Sequence, residues 1–200
     1  MESKVQSVAT TAFAKIFDAW TGNDDVDYPL LSTSPALVRD DTGSAKKADL
    51  SWTPSSLPIG RKTKWPTFAV EMAWSERRHK IETDMVFWLC QSNGDVKAAM
   101  STTVHSRGRI SFEIWDLRRA PQGVNPFPFP SQRMEIVRNP APNRPKIDGR
   151  IEIPYEDIYL QQKGANDTNF ILTDEDVTKI AKKIWIVQFG LEEHRGSSSR

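Results

Sequence analysis

A single cysteine, Cys90, excludes an internal disulfide and points to a reducing compartment. It ends the apolar run Val86-Phe87-Trp88-Leu89-Cys90, where a free cysteine reads as a small buried hydrophobe and not as a reactive thiol. No apolar stretch approaches the roughly 20 residues that span a bilayer. The N-terminus also lacks the basic-then-apolar order of a secretion signal. The expectation is an intracellular, soluble chain with no membrane partner, nuclear or cytoplasmic location left open, and with the sequon Asn166-Asp167-Thr168 silent. Glycines are single and mostly in turns, so no glycine-rich phosphate loop exists, and no G-x-S-x-G elbow supports serine hydrolase chemistry. His79, His105 and His194 are scattered, with no metal-ligand spacing among themselves or with Cys90. Net charge is only +1, so a nucleic-acid binder would have to gather its positive side chains on one face.

Large rings are plentiful: seven Trp and nine Phe supply much of the predicted core. At 200 residues the chain reads as one domain over 1–195, with 196–200 as a disordered tail. Val5, Val8, Ala12, Phe13, Ile16, Phe17 and Trp20 recur at helical spacing. Ala36 to Val38 is a short strand candidate before the turn Asp40 to Gly43. Ala48 to Trp52 and Thr67 to Trp74 alternate as strands do, with Phe68, Val70 and Met72 on one face of the second and Ala69, Glu71 and Ala73 on the other. Ser75 then caps a helix with Ile81, Met85, Val86, Trp88 and Leu89 as its apolar positions. Val96–Val104 and Arg109–Leu117 follow as strands joined at Arg107-Gly108. Seven of the 13 prolines lie in 120–145, which predicts an ordered excursion more than sheet interior. Met134–Val137 and Arg150–Pro154 are short strand candidates, and Thr173 opens a capping-box helix over 173–190. The fold class is α/β (α+β): a central mixed β-sheet flanked by helices.

Chemistry concentrates on two acids, Asp49 and Glu71, which fall on neighbouring strand segments and point away from the bulky apolar face. Alanines on both sides of Glu71 leave room beside its carboxylate. A charge in mid-strand is costly unless it is paired, hydrogen-bonded or bound to a cation. Mg²⁺ takes one or two carboxylates plus water and phosphate, and a metal so held can activate water against a phosphodiester. The alternative is plain: Glu71 on a solvent-facing edge strand and Asp49 in a turn.

The runs Lys47-Ala48-Asp49-Leu50-Ser51 and Trp65-Pro66-Thr67-Phe68-Ala69-Val70-Glu71-Met72-Ala73-Trp74-Ser75-Glu76 resemble the D…(V/I)E(V/I)…S pattern of restriction-endonuclease-like families. Phe87-Trp88-Leu89, Gly94-Asp95-Val96-Lys97 and Ile110-Ser111-Phe112-Glu113-Ile114-Trp115 continue the likeness, notably to uncharacterised fungal members of the PD-(D/E)XK superfamily. The resemblance covers about 46–117. It implies a restriction-endonuclease-like core and a nuclease that binds Mg²⁺ (or Mn²⁺) through Asp49 and Glu71. Nucleic acid, DNA foremost, is the implied partner. The signature's lysine, two residues after the second acid, is here Ala73. Lys80, which resembles the position used by related bacterial families, and Lys97, which reaches in from the next strand, are the candidate replacements. Glu76 and Glu113 are candidate further carboxylates.

Arg61, Lys62 and Lys64, then Arg77, Arg78 and Lys80, then Arg107 and Arg109 form basic clusters around this site. If they converge they track a phosphate backbone, with Trp65 or Trp74 for stacking; otherwise they are loop solvation. Ala73 also leaves open a catalytically inactive module that binds nucleic acid or protein. A weaker reading makes the proline-rich 125–130 loop a protein-docking surface.

Overall fold

The computed structural model describes residues 4–22, 29–34, 36–74, 78–117, 127–138 and 145–190. Helix α1 (Lys4–Thr21) buries Val5, Ala9, Ala12, Phe13 and Phe17 along one stripe. Strands β1 (Leu30–Ser32), β2 (Leu37–Arg39), β3 (Ala45–Lys47), β4 (Leu50–Pro54) and β5 (Phe68–Trp74) follow. Helix α2 (Arg78–Met85) runs directly into a π-helical turn, Val86–Cys90. The chain continues through β6 (Ala98–Val104), β7 (Arg109–Leu117), β8 (Pro128–Val137), β9 (Lys146–Gly149) and β10 (Ile151–Ile153). It ends with α3 (Tyr155–Tyr159), β11 (Phe170–Leu172) and α4 (Asp174–Phe189).

Seven strands form one sheet in the order β1-β4-β5-β6-β7-β8-β9. Neighbours pair antiparallel except β5 and β6, which are parallel because α2 and its π turn return the chain between them. This is the mixed, helix-flanked α/β sheet that the sequence predicts. The pleat sorts its residues into two cores. Phe68, Val70, Met72, Met100 and Phe112 face α1 and α4, where Phe17 lies 4.3 Å from Trp52 and 5.0 Å from Phe170 between ring centroids. Ala69, Ala73, Ala99 and Trp115 face the other way, under Ile81, Met85, Trp88 and Leu89. Small alanines on this side let α2 approach closely while Glu71, Ser101 and Glu113 share the same face.

The proline-rich segment departs from expectation. Pro128 and Pro130 lie inside β8, paired opposite Leu117 and Trp115 beside a register shift at Ile114/Trp115. The reason is that β9 pairs only with Met134–Val137. Among the described residues the first half of β8 is therefore a sheet edge, where a missing N–H costs no ladder bond. The sequence pattern gives no signal for strands β1, β3, β9 and β11 or for helix α3. Residues 75–77 (with the Ser75 cap and Glu76), most of the 120–145 excursion and the 196–200 tail lie outside the described residues. Among the described residues no helix is long and apolar enough to cross a membrane.

Candidate active site

Asp49 sits one residue before β4. Leu50 pairs with Val70, so one further step along the ladder puts Asp49 opposite Glu71. Asp49 Oδ2 accepts the Met72 backbone N–H at 2.6 Å, and its Oδ1 takes the Gln6 side-chain amide of α1 at 3.5 Å. Glu71 is central in the sheet and 8% exposed. Its Oε1 accepts the Trp88 indole N–H at 2.6 Å and lies 3.3 Å from the Lys46 ammonium, which also reaches Asp84 Oδ1 at 2.7 Å. The π turn explains Trp88: widening the helix by one residue re-aims the side chains that follow, and the indole lands on Glu71.

These groups line one depression of about 190 Å³ that gathers Asp49, Glu71, Asp84, Lys46, Lys80 and Ala73. Burial pushes the Glu71 carboxyl up from 4.5 to about 7, opposed by Lys46 and Trp88 and reinforced by the Asp49 and Asp84 charges. Burial likewise raises Asp49, against the Met72 N–H, Gln6 and Lys46. Burial works against the Lys46 ammonium, but Glu71 and Asp84 outweigh it and hold its pKa above the ordinary value. A larger groove of about 540 Å³ runs between α1 and α4, but its lining is apolar residues, three lysines and Asp176, with no constellation for acid–base or cation chemistry.

The predicted residues divide by position. Asp49, Glu71 and Lys80 come together. Lys97 does not: it is exposed just before β6, electrostatically close to Asp157 of α3. Glu71 pairs with Ser101, four residues further on, which is roughly 13 Å of strand. Arg61 is turned inward, its side chain 6% exposed, bonded to Asp95 at 2.9 Å and to the Trp65 and Pro66 carbonyls at 3.3 and 3.2 Å. It staples its own loop and presents no face to a polynucleotide. Lys62 and Lys64 both pair with Asp41, at 3.3 and 2.7 Å. Arg77 lies outside the described residues. Arg78 bonds Glu113, away from the Asp49–Glu71 depression. Cys90 is partly exposed instead of buried, and what burial it has pushes its thiol up.

Sequence reasoning missed Lys46, Asp84 and Trp88 as site residues. Asp84 shares a helix face with Lys80 at i, i+4 spacing, a signal that could have found it. Lys46 carried none beyond its nearness to Asp49.

Two neighbouring carboxylates are the hard oxygen donors that Mg²⁺ prefers, and burial, the main cause of their raised pKa values, would be opposed by a cation that favours the ionised forms. Among the described residues no three His, Cys, Asp or Glu side chains are grouped to hold an ion. A divalent ion held by Asp49 and Glu71 would have to complete its shell with water and phosphate, and the two carboxylates fit an ion on those terms alone. No protein-family model matches the chain, and no curated protein matches it by sequence.

Proposed function

We propose that this chain hydrolyses nucleic-acid phosphodiester bonds, DNA foremost, in a divalent-cation-dependent reaction centred on Asp49 and Glu71. The observation that carries the reading is the depression itself: two carboxylates on adjacent strands, with the Lys46 ammonium 3.3 Å from Glu71. Mg²⁺ or Mn²⁺ held by Asp49 and Glu71 would supply Lewis-acid chemistry, an acidified water and stabilisation of charge on the phosphate. The chain's own groups do the positioning. Met72 N–H and Gln6 orient Asp49, and Trp88 orients Glu71. Lys46 stands in for the lysine that Ala73 lacks: it lines the same depression and brings an ammonium beside the second acid. Lys80 adds a second positive charge to the same wall.

One observation favours the catalytically inactive binding module. Lys46 pairs with both Glu71 and Asp84 and so supplies from within the chain positive charge that these acids require. A plasmid-nicking assay with Mg²⁺ or Mn²⁺ separates the two. Glu71→Gln and Asp49→Asn are each expected to slow nicking by about 10²-fold or more, with circular dichroism unchanged. Wild-type nicking by Glu71→Gln sinks the catalytic reading. Oligonucleotide binding by the wild-type protein without divalent-dependent nicking hands the case to the inactive module.

A further inference from the structure

On the same sheet face, a second depression of about 200 Å³ is bounded by Arg78, Arg109 and Arg133, with His105 and Ser111 between them. Ile81 lines both depressions, so the two adjoin. The ladder sets their separation: Glu71, Ser101, Glu113 and Arg133 stand opposite one another across β5, β6, β7 and β8. At about 4.8 Å per strand, Glu113 lies roughly 10 Å and Arg133 roughly 14 Å from Glu71.

Three carboxylates anchor the three guanidinium groups: Glu113, Glu135 and Glu82, which lies 3.4 Å from Arg78 Nε one helical turn along α2. Glu113, 4% exposed, receives Arg78 Nη1 at 2.5 Å and lies 3.9 Å from Arg133 Nε. Glu135 receives the Ser111 hydroxyl at 2.7 Å and Arg133 Nη2 at 2.9 Å, and lies 3.6 Å from Arg109 Nε. Arg78 also lies over the Trp115 ring, 4.5 Å from its centroid. The arginine side chains stay about half exposed, at 46, 47 and 51%. Burial and Arg109 hold the His105 pKa below its ordinary value, so it brings no positive charge near neutral pH. Three arginines against three glutamates balance in formal charge, so what the basin offers an oxyanion is its unused guanidinium donors and not a surplus of charge. Arg78 and Arg133 each contact two glutamates and Arg109 one, while a guanidinium carries five N–H donors, so each pinned, half-exposed arginine keeps donors for another oxyanion. Planar forks converging from three strands or helix ends suit a phosphate better than a planar carboxylate.

We propose that this arginine basin binds a backbone phosphate of the polynucleotide whose reacting bond lies at the Asp49–Glu71 depression. The span of roughly 10–14 Å corresponds to about three to four stacked nucleotides at ~3.4 Å each. The inference rests on the phosphodiester reading of the neighbouring site, and its test is separable from that reading. Fluorescence anisotropy with labelled single-stranded oligothymidylates in EDTA reads the basin alone. Arg109→Gln and the double variant Arg109→Gln/Arg133→Gln are expected to weaken binding progressively, to about tenfold for the double variant. The double variant should also reduce the slope of log affinity against log salt by about 1–2. Calorimetric Mg²⁺ binding should not change in either. Asp49→Asn/Glu71→Gln should lose Mg²⁺ binding and keep oligonucleotide affinity. Unchanged affinity and slope in a folded double variant overturns the basin, as does a wild-type protein that binds no oligonucleotide. Binding that requires a 5′-phosphate, or that inorganic phosphate abolishes at equal concentration, overturns a backbone subsite in favour of a terminal or free phosphate pocket. If the arginine variants lose binding while Asp49→Asn/Glu71→Gln leaves Mg²⁺ affinity intact, the basin stands and the catalytic reading falls.

Discussion

Glu71 is the residue on which chemistry and stability meet. Its carboxyl is raised from 4.5 to about 7 in the folded chain, so the folded state holds a proton that the unfolded state releases earlier. The contribution is present in full below the ordinary value and is lost as pH rises through about 7. At about 1.4 kcal/mol per pH unit the whole effect is roughly 3 kcal/mol. Glu71→Gln keeps the shape and removes the charge. It is expected to be more stable than the wild type by about 1–3 kcal/mol near pH ~8, with the difference closing by pH ~5. Urea denaturation at both pH values measures this, and an equal difference at the two would contradict it. If Mg²⁺ binds there as proposed, Glu71 should release protons on binding near pH ~6.5, read by calorimetry in buffers of different ionisation enthalpy, because a cation favours the ionised carboxylate.

At the scale of elements, the β8–β9 hairpin depends on one glycine. Gly149 has φ +86°, and a Cβ there would stand 2.1 Å from the Arg133 carbonyl oxygen, a backbone atom that cannot swing aside. Gly43, in the β2–β3 turn at φ +93°, would meet nothing within 4 Å. Gly149→Ala is therefore expected to cost about 1–3 kcal/mol, and Gly43→Ala only about 1 kcal/mol. Thermal unfolding of the two variants side by side isolates the clash from the backbone preference. Equal losses would show that the hairpin yields to the added carbon. The helix α4 needs no such rescue. Thr173 accepts the Asp176 N–H while Asp176 accepts the Thr173 N–H, so its start is closed locally.

The whole molecule is a sheet with two unlike faces. One buries a cluster of aromatic rings under α1 and α4; the other is thin, alanine-lined and carries the acids under α2. Phe17 packs against Trp20, Trp52, Phe68 and Phe170. Phe17→Ala is expected to cost about 3–5 kcal/mol, a large share of a domain's usual ~5–15 kcal/mol. Chemical denaturation checks it. A loss under about 1 kcal/mol would mean that α1 is not part of the cooperative unit. Helix α1 also carries Gln6 to Asp49, so the aromatic face supports the acidic one across the sheet.

What the sequence determined by itself is what period and local bonding determine. The two-residue alternation of Phe68, Val70 and Met72 against Ala69, Glu71 and Ala73 assigned each to its face without knowledge of any neighbour. The stripe of α1 and the capping box of α4 were legible for the same reason. Alternation also placed Asp49 and Glu71 on one side of adjacent strands, and the ladder sets them opposite each other. Tertiary structure alone decided what stands above that face. Lys46 arrives on a separate hairpin, β2–β3, and Trp88 by a π turn that helical periodicity does not foresee. Whether Pro128 and Pro130 could sit in a strand depended on where β9 stops, a property of the finished sheet. Arg61 and Lys97 looked equivalent to other basic residues until an aspartate drew the first inward and the length of β6 carried the second away. Local periodicity says which way a side chain points; only the order of strands and the crossing of helices says what it meets.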